Sequence, residues 1–419
     1  MSDVAETITR VHREEWARLV ATLARRCGDL DVAEEMAAEA FAVAVERWPL
    51  DGVPPNPGGW LTTTAQRKAI DRLRREVKRE EKHREALMLT DEDPRPLGAI
   101  DDDRLRLLFT CCHPALAVEA RIALTLRMVG GLTVPEIASA FLVQESAMGR
   151  RITRAKEKIK VARIPYRVPD RADLPARIGG VLTVLYLIFN EGYLASGPGT
   201  GPVRADLTAE AIRLTRLVRA LMPEDGEVVG LLAMMLLIEA RRTARVSASG
   251  ELVTLDEQDR GAWDRELIGE GHALVRERLA SGQPPGRYQI LAAINAVHTD
   301  ARDVRDTDWS QVVALYDHLA RLDPSPIVRL NRAIAVAELD GPEVALAQLD
   351  GLPLDGYHVF HAARADLLRR LGRSRESRAA YDRAIELAGN TAETAYLVRR
   401  RDQLAPDDAA GTFTGSGAD

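Results

Sequence analysis

The 419-residue chain holds only three cysteines, Cys27, Cys111 and Cys112. So few thiols, behind a polar Met1–Arg13 start with no apolar leader, exclude a disulfide framework and fit a reducing, cytoplasmic setting. Aromatic residues make up 5% of the chain. β-Branched runs with period-two alternation are scarce, so no convincing strand can be read. The most apolar stretch, Val181–Phe189, falls well short of the roughly 20 residues a bilayer span needs, and no membrane partner is expected. HExxH, nucleophile-elbow and phosphate-loop spacings are missing, which argues against an enzyme and against a cofactor. Adjacent Cys111 and Cys112 beside His113 make poor tetrahedral ligands without a second cysteine pair, so they read as small buried hydrophobes and no metal is expected.

What is present is helix-forming. Ala, Leu, Arg and Glu dominate, and 46% of residues are hydrophobic, enough for sizeable cores. The fold class expected is all-α. Charge is unevenly spread. The six lysines, Lys68, Lys78, Lys82, Lys156, Lys158 and Lys160, fall in two segments. Gln66–Arg84 carries nine Lys/Arg against four Asp/Glu, and Glu145–Arg171 nine against three. Met1–Gly58 carries six Arg against eleven acids. Two basic islands in an acidic chain suit two polyanion contacts, with the acidic face left for another partner.

Periodicity divides the chain. Residues 1–84 read as three helices, with Gly28 ending the first, Asp29 or Asp31 capping the second, and a proline-rich loop at Trp48–Gly59. Residues 85–100 form an acidic, proline-bearing linker. Residues 101–164 read as a second helical domain. Thr133 and Glu136 form a capping box, and a short turn at Leu142–Gln144 leads into a helix over Ser146–Ala162. That is a helix-turn-helix pattern, with Met148, Ile152, Ala155 and Ile159 as the buried stripe. Residues 171–405 are helical throughout, with loops at Gly197–Pro202, Val246–Gly250 and Ser281–Gly286. Around Gly341 and Gly372, paired helices of small residues meet at a glycine, the signature of tetratricopeptide-like hairpins. Residues 406–419 read as a disordered tail.

Residues 29–75 resemble the second conserved region of extracytoplasmic-function sigma factors. The resemblance is carried by Asp31-Val32-Ala33-Glu34-Glu35, Ala38-Glu39-Ala40-Phe41, Trp48-Pro49 and the run from Trp60-Leu61 through Ala69-Ile70-Asp71. Residues 131–156 resemble the fourth region: Gly131-Leu132-Thr133, Glu136-Ile137-Ala138, Val143, and Arg151-Ile152 to Lys156. Leu108–Pro114, Phe189–Tyr193, Gln258–Arg260 and Asn331–Ala337 resemble a subgroup with a fused tetratricopeptide-like domain. The family's usual Asn in the promoter-reading helix falls at Arg67, and its usual turn glycine at Leu142, so no promoter sequence carries over.

The resemblance implies a promoter-specific RNA polymerase sigma factor. Asp31, Glu34, Glu35 and Glu39, with Phe41 as apolar anchor, would dock on basic helices of core RNA polymerase. Trp60, Thr63, Gln66, Arg67 and Arg74 would contact the minus-10 element. Glu145, Ser146, Arg150, Arg151, Arg154 and Lys156 would contact the minus-35 element, Arg pairing with guanine and Lys following phosphates. For Trp60, a plain core role competes with direct DNA contact. Glu191, Asp259 and Arg260 suit either a structural salt-bridge cluster or a ligand pocket. The extension is expected to regulate the factor, with a protein or small molecule as its own partner. The alternative is a freestanding helix-turn-helix regulator with a tetratricopeptide-like sensor domain. That reading leaves the Asp31–Phe41 motif without a role.

Overall fold

The computed structural model describes residues 2–79, 103–140, 143–170, 172–194, 203–247, 252–389 and 391–404. The expected linker at 85–100 and tail at 406–419 lie outside the described residues, as do the end of the first basic island and the loop at Gly197–Pro202. Among the described residues there are eighteen α-helices and no strand. Extended backbone pairs only in an isolated antiparallel bridge, Val246 with Leu252, closing the expected loop there.

The chain divides into two compact units. One takes the described residues to Leu194 together with Arg204–Pro223, and the other takes Val203 and the described residues from Glu224 on. The expected break near residue 171 is therefore not where compactness divides.

The first unit opens with α1 (Ser2–Cys27), α2 (Leu30–Asp51) and α3 (Pro57–Arg79). Gly28 takes a φ of 68°, and the Asp29 carboxylate accepts from the amides of Asp31 and Val32, capping α2. The loop expected over Trp48–Gly59 is shorter than the prolines suggested. α2 runs on through Pro49 to Asp51. Pro49 forfeits one hydrogen bond, but Trp48 is 2% exposed and pins the turn, while Gly52, at φ 83°, returns its amide to Trp48 O at 3.0 Å. Asn56 Oδ1 then accepts from Gly59 N at 2.9 Å, and Pro57 opens α3.

Four helices follow: α4 (Asp103–Cys111), α5 (Val118–Met128), α6 (Val134–Ala140) and α7 (Glu145–Val161). The capping box forms, with Thr133 N donating to Glu136 Oε2 at 2.7 Å and Glu136 N to Thr133 Oγ1 at 3.4 Å. Met148, Ile152, Ala155 and Ile159 are all buried. Cys111 and Cys112 pack inside; burial raises both thiols, Cys112 being pushed up to about 12. The unit is completed by α8 (Leu174–Tyr193) and α9 (Ala205–Leu221), the first helices of the extension. They pack on each other and against α4, and α8 also lies on α5.

The second unit is a run of helices packed on their neighbours: α10 (Gly226–Glu239), α11 (Arg265–Ala280), α12 (Arg287–Asp300), α13 (Trp309–Leu322), α14 (Pro326–Leu339), α15 (Pro342–Leu349), α16 (His358–Arg370), α17 (Ser374–Leu387) and α18 (Thr391–Asp402). Gly341 and Gly372, at φ 94° and 73°, sit at equivalent turns between α14 and α15 and between α16 and α17. Small residues, Ala333, Ala337, Ala345, Ala365 and Ala384, let these helices approach closely.

Candidate functional site

The residues singled out on α2 and on α7 meet. Asp31 and Glu34, three positions apart on α2, lie on one flank of that helix. Lys156 of α7 donates from Nζ to Asp31 Oδ1 at 2.8 Å and also pairs with Glu34 Oε2. Arg127 of α5 donates from Nε to Glu34 Oε1 at 2.5 Å, and from Nη1 to Leu132 O at 2.8 Å. The charges are largely withdrawn from water: side-chain exposure is 9% for Lys156 and 13% for Glu34. Burial pulls the Lys156 ammonium down in pKa, but Glu34 and Asp31 outweigh it and the net shift is upward. At the rim, Lys160 Nζ reaches Asp29 Oδ2 at 3.2 Å.

Apolar and backbone contacts flank the ion pairs. The Trp16 indole donates to Arg127 O at 3.1 Å, and the Arg127 guanidinium stands 5.6 Å over the indole ring. Gly131, at φ 69°, lies against that ring; a Cβ there would fall 3.0 Å from Trp16 Cδ1. His12 fits between Trp16 and Phe41, with ring centroids 4.9 and 4.8 Å away, and burial with Arg127 nearby lowers its pKa. Past α7 the chain turns back: the Tyr166 hydroxyl lies 2.9 Å from Ala21 O and 3.2 Å from Asp103 O. Asp103 Oδ2 accepts from Arg25 Nε at 3.0 Å.

The other expected residues are placed as follows. Glu35 is exposed, and Glu39 pairs with Lys68 of α3 at 3.4 Å. Phe41 is 6% exposed in the aromatic cluster rather than standing as an open anchor. On α3, Thr63 and Arg67 are exposed and Gln66 is half-buried, while Trp60 packs edge-on against Trp48 at 5.5 Å. Arg74 lies on the helical backbone of α3, its side chain outside the described residues. On α7, Glu145, Ser146, Arg150 and Arg154 are exposed and Arg151 is half-buried. Glu191 lies in the first unit, Asp259 and Arg260 in the second. Asp259 caps its own turn, and Arg260 donates to His298 O and Ala301 O, at 2.7 and 2.8 Å.

The sequence pattern did not single out Trp16, Arg127, Gly131 and Tyr166 as members of this site. The signal that pointed toward it was charge. An acidic first segment and a basic Glu145–Arg171 are complementary, and the second is not committed to a polyanion along its whole length.

Three stretches of the chain match known family models. Residues 13–79 match the model of sigma-70 region 2, residues 106–159 that of sigma-70 region 4, and residues 177–279 a family of unknown function (DUF6596). The chain is 44% identical over 400 residues to an uncharacterized protein of Rhizobium meliloti, covering 93% of this chain and 94% of that one. It is 28% identical over 204 residues to a probable ECF RNA polymerase sigma factor, SigI, of Mycobacterium tuberculosis, covering 45% of this chain and 68% of that one. No solved structure matches. The chain belongs to the sigma-70 family, in its extracytoplasmic-function branch, with a fused C-terminal helical extension. It is a transcription initiation factor and not an enzyme; its partners are core RNA polymerase and promoter DNA. No helix among the described residues is long and apolar enough to cross a membrane.

Proposed function

We propose that this sigma factor is regulated by its own extension, acting through the placement of region 4. In this reading Asp31, Glu34, Glu35 and Glu39 on α2 dock on a basic surface of core polymerase. Helix α3, with Thr63, Gln66, Arg67, Arg74 and the flanking Trp60, serves the minus-10 element. The open face of α7, with Glu145, Ser146, Arg150, Arg151 and Arg154, serves the minus-35 element, and Lys156 joins it once freed from α2.

The observation that supports extension control is that the extension begins inside the promoter-binding unit. α8 and α9 form one compact unit with regions 2 and 4. Arg177 of α8 donates from Nη2 to Phe109 O of α4 at 2.8 Å, and Arg204 at the start of α9 lies 3.9 Å from Glu136 of α6. Val181, Leu182, Leu185 and Phe189 of α8 are buried. Region 4 thus carries a fixed apolar neighbour, and a change in the extension has a direct mechanical route to the helix-turn-helix.

The test is run-off transcription with core polymerase, comparing the full chain with truncations after Pro223 and after Asp170. The expected result is a several-fold change in promoter-dependent transcript for the shorter truncation, upward for inhibition and downward for bracing. If both truncated proteins fold and transcribe at the full-chain level, the extension does not regulate the factor.

A further inference from the structure

We infer that region 4 is an internal competitor for the acidic face of region 2, so that docking on core polymerase and release of region 4 are one event. This rests on the reading that Asp31 and Glu34 dock on the polymerase, and deepens it.

Three features carry the inference. The first is occupancy. The flank of α2 that presents Asp31 and Glu34 already holds two cations, the Lys156 ammonium and the Arg127 guanidinium, delivered from α7 and α5. The kind of partner this face accepts is therefore visible: a basic helical surface with two cations spaced to reach carboxylates one helical turn apart. A polymerase surface of that chemistry and region 4 cannot hold Glu34 together. The second is desolvation. With Glu34 and Lys156 mostly shielded, breaking the pair without a substitute strands a charge, whereas exchanging one cationic partner for another does not. Competition is therefore the favourable way to open the contact. The third is shape. The close seat of Gly131 on Trp16 and the Tyr166 hydroxyl on Ala21 O are uncharged contacts that define the same pose. Charge attraction alone would leave many poses; these select one.

The closed form also withholds Lys156 from DNA while leaving Arg150 and Arg154 exposed. A free factor is thus spared a full promoter grip until polymerase takes the acidic face. The apparent affinity for core is the intrinsic affinity reduced by the open fraction.

The experiment uses the full chain. A zero-length carbodiimide joins a lysine ammonium to a carboxylate with which it is already in contact, forming an amide and releasing the urea. In the free protein, mass spectrometry should find Lys156 joined to Asp31 or Glu34, and saturating core polymerase should abolish that cross-link. Its absence from the free chain, or its persistence in the complex, overturns the inference. A second measurement uses Arg127→Ala combined with Tyr166→Phe, which loosens the contact without touching the α2 face or the open face of α7. Core affinity should rise by about tenfold. Unchanged core affinity in that folded double variant, with Glu34→Lys still abolishing core binding, overturns the competition while leaving the docking face intact. If Glu34→Lys binds core normally, the docking reading itself fails and the inference with it.

Discussion

At the scale of single residues, the second unit contains an unusual histidine. His298 of α12 lies edge-on to Trp309 at 5.3 Å, and its pKa is pushed down to about 4, by burial first and then by the Arg241 and Arg260 guanidiniums. The folded state therefore holds the ring neutral. Its contribution to stability is fully present above the unfolded value near 6.5 and is lost as pH falls from there toward 4. A shift of that size corresponds to about 3 kcal/mol. Chemical denaturation of wild type and His298→Leu, followed by tryptophan fluorescence between pH 7 and 4, should show the wild type losing stability relative to the variant on acidification. A pH-independent difference between the two would contradict the assignment.

Much at this scale was legible in the sequence, and the limits have physical causes. The Thr133–Glu136 box and the Met148–Ile159 stripe are local patterns, and both form as expected. Pro49 misled because a proline is costly inside a helix, yet Gly52 and a buried Trp48 close the final turn around it. Lys156 read as a phosphate follower because its nearest sequence neighbours are basic. Its partners, Asp31 and Glu34, lie 125 and 122 positions away, a separation that no local pattern spans.

At the scale of elements, α7 has three sides with separate duties. One is the buried stripe, one meets α2 through Lys156, and one presents Arg150 and Arg154 to solvent. Replacing Arg150 and Arg154 by Ala should weaken upstream-element recognition by about 1–3 kcal/mol for each base that is no longer read. Holoenzyme binding to a labelled promoter fragment measures this, with helicity by circular dichroism as the control. Unchanged affinity in a folded variant would place the reading face elsewhere. The division of sides was half visible in the sequence: the stripe follows from period 3.6, but which polar side turns toward protein does not.

For the whole molecule, the boundary between units matters more than the boundary between matched families. The match to a family of unknown function starts at residue 177, inside α8, yet compactness divides the chain after Pro223. Truncation after Pro223 should therefore leave a cooperatively folding first unit. Truncation after Asp170 strips α8 and α9 from α4 and α5 and exposes apolar surface. Thermal unfolding should show a melting temperature at least several degrees lower for the shorter piece, since burying each large aliphatic side chain is worth about 1.5–3 kcal/mol. Equal melting temperatures would mean that α8 and α9 are dispensable to the unit they sit in. The mixing of extension and promoter-binding helices was only partly readable. Pro165 and Pro169 lie in the short stretch between α7 and α8, but where the cores separate depends on which apolar faces pair in three dimensions.

The sealed thiols of α4 and its following turn have a practical corollary. Burial pushes the Cys112 thiol up to about 12 and shields it from solvent, so the closed fold keeps it protonated and out of reach of reagents. Unfolded, the same thiol is far more reactive. Cys111 and Cys112 are thus a built-in chemical clock. The rate at which an alkylating reagent marks them, in native buffer and without any added label, counts how often the centre of region 4 comes apart, and so distinguishes a region 4 that swings away intact from one that must melt to let go.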